Sequence, residues 1–312
     1  MKRIISKILR RIRYSLSLNR RIKASQWYYN TFPHLEEYES IQRNSDVLCI
    51  GSTIAKYAID FKYVDGIIGS NLATLPETVY YDFQVVKNYH SYLKNGGVFI
   101  FILCPFTLLK DKYTKEEGNN NYLNIRYYPI LHRALIDNFN YSLLDKWVLN
   151  PYKIGYKAWI RAFIDAKKSN SMILANNPLS DNEMAENARS RIKAWLEEFN
   201  LKDLYEPVNQ SLQETINNNI NILKQLDAFI TERKYKGVII IPPFSAELTQ
   251  LLPYSFIESV LINPISRINM PVISYFGKKE WMDKTFFIDS FTLNAQGRAV
   301  LTKDIINKLQ II

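Results

Sequence analysis

Histidine and cysteine are scarce, at 3 and 2 residues in a chain of 312. Cys49 and Cys104 sit inside hydrophobic strand-like runs with no metal-ligand spacing, so buried free thiols and no metal site are expected. Ten glycines and 12 prolines are too few for a collagenous or low-complexity chain. A composition of 47% hydrophobic and 22% charged residues excludes a natively unfolded one. No apolar run reaches the roughly 18 to 20 residues of a membrane-spanning helix. What remains is a globular chain long enough to bury a full core without disulfide or metal staples.

Acidic residues are missing from one region altogether. Residues 1–34 hold Lys2, Arg3, Lys7, Arg10, Arg11, Arg13, Arg20, Arg21 and Lys23 with no Asp or Glu, nearly the whole formal net charge of +10. The remaining body is close to neutral. A helical wheel through this arm aligns Ile4, Ile8, Ile12 and Leu16, joined by Ile5 and Leu9, with the basic residues mostly elsewhere. Residues 1–34 therefore form a first segment, a basic amphipathic helix. Residues 1–24 suit an anionic membrane surface, each nearby Lys or Arg contributing on the order of 1 kcal/mol. The alternative is a helix packed on its own domain with its basic face in water. The arginines interrupt any signal-peptide core, so a cytoplasmic protein is expected, with the inner face of the plasma membrane as the place for the arm. Beyond the arm there are no basic patches interleaved with aromatics, and no nucleic-acid partner is expected.

The body, residues 35–312, alternates strands and helices. Continuous apolar runs at 46–50, 98–103, 238–241 and 272–276, with a weaker one at 66–68, have the pattern of parallel strands buried on both faces. Helices are predicted over 76–93 and 253–262, each opened by proline. This alternation predicts an α/β fold, a three-layer sandwich around a parallel five-stranded sheet. It breaks at about 105–235, read as a large helical insertion between the third and fourth strands. There Ser180 and Glu183 form a capping box for a helix to about residue 199. A longer amphipathic helix over 207–233 carries Leu212, Ile216, Ile220, Leu223, Leu226 and Ile230 on one side. Such an insertion can cap the carboxyl ends of the strands, where open α/β sheets place ligands.

Three segments sit where a strand meets a loop. The first strand runs into Gly51-Ser52-Thr53, which presents hydroxyls at the top of the sheet. Gly69-Ser70-Asn71 follows the weak second strand, and Asn71 offers either an oxyanion donor or a hold on its own backbone. The third segment is Asp289-Ser290-Phe291-Thr292-Leu293-Asn294-Ala295-Gln296-Gly297, an acidic loop entering the final helix. On residues alone, Ser52 and Thr53 could equally cap the next helix, and Asn294 with Gly297 could set a turn.

Together these segments resemble the SGNH (GDSL-type) hydrolase superfamily, in particular variants found in bacterial surface-polysaccharide gene clusters. There the first strand ends in Gly-Asp-Ser or Gly-Ser-Ser, and the last helix is entered through Asp-x-x-His-Leu-Asn-x-x-Gly. The resemblance covers residues 46–104 and 236–305 and implies a flavodoxin-like sheet. It implies an acyl-ester hydrolase or O-acyltransferase acting on a glycan or acylated sugar in capsular or exopolysaccharide biosynthesis or modification. It implies no cofactor. Carried over by position, Thr53 falls on the nucleophile, Asp289 on the orienting acid and Thr292 on the histidine, with Gly51, Asn71 and Asn294 shaping the substrate pocket. Ser52 is the alternative nucleophile, with Asp289 as direct base.

The departures define a second expectation. Threonine cannot accept a proton near pH 7, so Thr292 leaves the general base missing. None of His34, His90 and His132 lies in the segments that would build that side of the site, and each is read as structural. Cys104-Pro105-Phe106 stands where the family carries Gly-x-Asn after the third strand. A catalytically degenerate pseudoenzyme that binds rather than cuts is therefore weighed beside the esterase. A glycan-binding or scaffold protein is a further reading, on 21 Tyr, 16 Phe and 5 Trp, since aromatic faces stack on sugar rings although most aromatics are simply core. A Rossmann-like methyltransferase is the last, on Leu93-Lys94-Asn95-Gly96-Gly97 ahead of a strand, against a turn after Gly51 with no further glycine.

Overall fold

The computed structural model describes residues 37–38, 40–74, 78–110, 130–131 and 179–310. The chain divides into two units, residues 1–36 with 113–173 and residues 37–112 with 174–312. The second holds all the elements named below. The basic helix of residues 1–34, His34, His132 and most of 111–178 lie outside the described residues.

Five parallel strands, β1 (Ser45–Gly51), β2 (Gly69–Asn71), β3 (Leu93–Ile102), β4 (Lys236–Ile241) and β5 (Val272–Ser274), form one sheet in the order β2-β1-β3-β4-β5. This is the α/β three-layer arrangement expected from the continuous apolar runs. Along β1, Val47 and Cys49 point into one core and Leu48 and Ile50 to the other face, and all four are fully buried. Val98, Ile100 and Ile102 of β3 and Val238 and Ile240 of β4 continue the first face. Burial on both sides is why these strands lack polar alternation.

On one face lie α1 (Thr53–Ala58) and α8 (Ala295–Leu309); on the other lie α2 (Val79–Tyr89) and α4 (Gln210–Glu232). The helix α3 (Asp181–Glu198) precedes α4. After β4 come α5 (Ala246–Gln250), α6 (Tyr254–Ile257), a π-helical turn at Glu258–Ile262 and α7 (Asn263–Ile265). None of the helices among the described residues is long and apolar enough to cross a membrane.

The capping box of α3 forms as read: the Ser180 N–H donates to Glu183 Oε2 at 2.9 Å, and the Ser180 hydroxyl meets the same oxygen at 2.6 Å. α4 begins at Gln210, three residues after the predicted start, because Asn209 caps it by accepting from the Leu212 N–H at 2.9 Å. Its apolar stripe packs against α2 and β4, the place of a crossover helix between β3 and β4. Asn219 interrupts that stripe yet is buried, and its amide donates to the carbonyls of Leu108 and Lys110, both at 2.9 Å. That tie fixes the turn that follows β3.

The predicted second strand is displaced. Residues 66–68 form the approach, with Gly66 at φ 77°, while the Asp46 N–H donates to the Ile68 carbonyl at 2.7 Å. The Asp46 carboxylate accepts the Ile68 N–H at 2.8 Å. The ladder proper is Gly69–Asn71, paired from Val47↔Gly69 onward. A three-residue polar edge strand carries no hydrophobic signal to read. The fifth strand stops at Ser274, although the Tyr275 N–H still reaches the Ile241 carbonyl at 2.8 Å.

Candidate functional site

Strand order reverses direction of growth between β1 and β3, and a crevice opens there at the carboxyl ends of the strands. A pocket of about 180 Å³ occupies it. Ser52 and Thr53 line it from the end of β1, and Ile102, Cys104 and Thr107 from the end of β3. Its other wall comes from α3, through Arg191, Trp195 and Glu198 with the following Phe199, and from Phe291 of the loop entering α8.

Gly51 makes the turn possible. It sits at φ 140°, and a Cβ there would come within 2.8 Å of Ala55 Cβ and 3.0 Å of the Ile102 carbonyl. The chain can thus leave β1 against the end of β3 and present Ser52 and Thr53 to the crevice. Ser52 occupies the N-cap of α1, but its side chain makes no capping hydrogen bond. Both hydroxyl-bearing residues are half-buried in the pocket wall.

The loop at 288–292 is latched from above. Asn187 of α3 accepts from the Ser290 N–H at 3.2 Å and from its hydroxyl at 2.6 Å, while the Ser245 N–H donates to the Ser290 carbonyl at 3.0 Å. The Leu179 N–H donates to the Ile288 carbonyl at 3.3 Å. Within this loop Asp289 Oδ1 accepts the N–H groups of Phe291 at 3.0 Å and Thr292 at 2.7 Å, and Oδ2 accepts the Thr292 hydroxyl at 3.1 Å. The Asp289 carboxylate is thus committed to its own turn, and the Thr292 side chain to Asp289.

The structure brings the two motif-bearing stretches together, since Ser52, Thr53 and Phe291 share one pocket, with Asp289 and Thr292 in the latched loop beside it. It separates Asn71 and Asn294 from them. Asn71 donates to the carbonyls of Ala55 and Ile59, both at 2.9 Å, and accepts the Ala73 N–H at 3.1 Å, so it ties β2 to the end of α1. It borders a different recess, with Lys56, Asp60 and Arg298. Asn294 caps α8, accepting the Gly297 N–H at 2.9 Å and donating to the Thr285 carbonyl at 2.7 Å. His90 lies where α2 ends, next to Phe229 and Tyr235 at the amino ends of the strands. Burial, then the nearby Arg233 charge, hold its imidazole below the usual range. The Leu93-Gly97 turn likewise opens β3 at the end opposite the crevice.

The sequence reading missed most of the wall. Phe106 stacks on Trp195 at 4.1 Å between centroids and on Phe199 at 5.7 Å. Arg191 lies over the Phe291 ring at 4.0 Å and 6.0 Å from Trp195. Burial lowers its pKa, opposed by the charges of Asp289 and Glu198. Cys104 is a pocket residue as well as a free thiol; burial pushes its pKa up, and the Thr107 hydroxyl at 3.3 Å acts against that rise. The available signal was spacing: Met184, Ala188, Arg191 and Trp195 fall on one face of α3, so a cation stands in an otherwise apolar stripe. Among the described residues no group of three or more His, Cys, Asp and Glu side chains gathers that could hold a metal ion.

No protein-family model matches the chain, and no curated protein matches it.

Proposed function

We propose that this protein is a catalytically degenerate relative of the SGNH-type acyl-ester hydrolases and O-acyltransferases, which binds a glycan or acylated sugar in the β1/β3 crevice. The reading places it in the biosynthesis or modification of a bacterial surface polysaccharide. Its fold-level support is the flavodoxin-like strand order, which brings the Gly51-Ser52-Thr53 turn and the loop before α8 to one crevice. The observation that carries binding over cleavage is the Thr292 hydroxyl donating to Asp289 Oδ2 at 3.1 Å. A general base would have to stand there, and a threonine already donating its proton to a carboxylate cannot take one from Ser52 or Thr53. The aromatic stack of Trp195, Phe106 and Phe199 supplies apolar wall for a sugar ring or an acyl chain.

A fluorophosphonate probe tests this directly. The wild type is expected to stay unlabelled while sugars quench or shift Trp195 fluorescence. Labelling that disappears in Ser52→Ala or Thr53→Ala would instead establish an active esterase, and tight S-adenosylmethionine binding would favour a methyltransferase. Attachment to the inner face of the plasma membrane through residues 1–24 belongs to the same proposal, on the basic amphipathic pattern there. Sedimentation with anionic vesicles should fall when those residues are removed, and an unchanged result would overturn it.

A further inference from the structure

The pocket wall carries three ionised side chains among the described residues, Lys110, Arg191 and Glu198. Lys110 and Glu198 form an ion pair with each other. Arg191 is different: among the described residues it makes no hydrogen bond or ion pair, and its Nε is buried with no partner. The charges of Asp289 and Glu198 act on it, but neither acid accepts a hydrogen bond from it. Asp289 has its oxygens on its own loop, and Glu198 is drawn to Lys110.

A buried donor without an acceptor carries a desolvation penalty, and the Arg191 Nε is such a donor on a half-buried side chain. The position is also built. α3 aims Arg191 inward on the same face as the buried Met184, Ala188 and Trp195, and Phe291, held by the latched loop, supports the guanidinium from beneath at 4.0 Å. A guanidinium lying over a ring keeps its edge donors available in a fork that matches the two oxygens of a carboxylate or phosphate. Beside it stand Thr53, whose hydroxyl can donate to the same anion, and the stacked aromatic wall.

We infer that the occupant of this pocket is an acidic sugar, whose carboxylate or phosphate pairs with Arg191 while its ring or acyl substituent lies against Trp195. This rests on the glycan-binding reading above and narrows it from glycans in general to those bearing an anionic group. The Thr53 hydroxyl at the end of β1 then serves to orient the anion.

The experiment measures binding to the full chain by Trp fluorescence and calorimetry. The probes are the neutral, uronic-acid and 6-phosphorylated forms of glucose, galactose and mannose, with acetate and inorganic phosphate as bare anions. Wild type is expected to prefer an acidic form over its neutral counterpart by roughly tenfold or more, and Arg191→Gln to abolish that preference, as expected for one charge-assisted hydrogen-bonding group. Arg191→Lys should keep part of it. Glu198→Gln, at an exposed rim position, removes a negative charge from the pocket wall and should tighten acidic sugars, which keeps the inference testable if Arg191 variants fold poorly. The uronate and phosphate arms show which anion is the natural one. Equal binding of neutral and acidic forms, unchanged in both variants, overturns the inference and leaves the glycan reading standing. Binding of bare anions through Arg191 with no sugar bound overturns the glycan reading and with it the acidic sugar. Absence of binding by every probe overturns both.

Discussion

Gly51 shows how much of the crevice depends on one backbone position. With φ at 140° and no room for a Cβ against Ala55 and the Ile102 carbonyl, a Gly51→Ala substitution combines backbone strain with overpacking. We expect a loss of roughly 2 to 4 kcal/mol by urea denaturation, where a surface Gly→Ala change would be near neutral. At this scale the sequence was partly legible. The hydroxyls after Gly51 are in the pocket as their place after an apolar strand suggested. Asn71 and Asn294 sit in motifs of the same appearance, yet their amides are spent on the α1 carbonyls and on the α8 cap. Nothing in a sequence distinguishes an asparagine that holds backbone from one that faces a ligand, since both need the same short amide beside a turn. Arg191 was legible only in retrospect, as the charged member of an apolar stripe.

The element that decides the site is α3. Its capping box marks its start in sequence, and its register follows from the buried stripe through Met184, Ala188 and Trp195. What the sequence could not convey is the surface onto which the helix folds, because the acceptor that fixes it, Asn187, is one of many polar residues along α3. Asn187 receives both donors of Ser290, so Asn187→Ala should release the 288–292 loop and cost about 1 to 3 kcal/mol for the buried hydrogen-bonding groups left unmatched. Since that loop carries Phe291 beneath Arg191, the same variant should weaken sugar binding in fluorescence titrations while far-UV circular dichroism stays unchanged. β2 is the opposite case: its existence was read, but its position was three residues off because hydrogen bonding to β1, not side-chain pattern, sets where it pairs.

For the molecule as a whole, the parallel sheet and its helical layers followed from apolar runs alone, because strands covered on two sides have no polar alternation to obscure them. One buried group adds a global pH dependence that no pattern announced. Asp82, in the first turn of α2, is buried, its Oδ1 has no hydrogen-bond partner, and burial raises its pKa from 3.8 to about 8. The unfolded chain sheds this proton near its ordinary value while the folded chain keeps it, so the contribution is full below about pH 4 and is lost as pH rises through about 8. Over that window stability should fall with a slope approaching about 1.4 kcal/mol per pH unit from this group. Asp82→Asn removes the slope: its Tm should exceed that of wild type at pH 7.5 and not at pH 4. Parallel profiles for the two proteins would show that the carboxyl is ionised in the fold.

One wall of the pocket comes from a stretch of chain outside the sheet. Arg191 and Trp195 ride on α3, which is fastened to the segment before α8 through Asn187, the Leu179 N–H and the Asp181–Lys284 ion pair. Met184 of the same helix packs into the core under the sheet, so residues 185–199 are the part whose replacement would change the chemistry of the pocket wall with least cost to the five-stranded framework. If the proposed glycan-binding role holds, drift in that segment alone would let one scaffold serve a series of chemically different surface sugars, the kind of variability a changing cell coat demands.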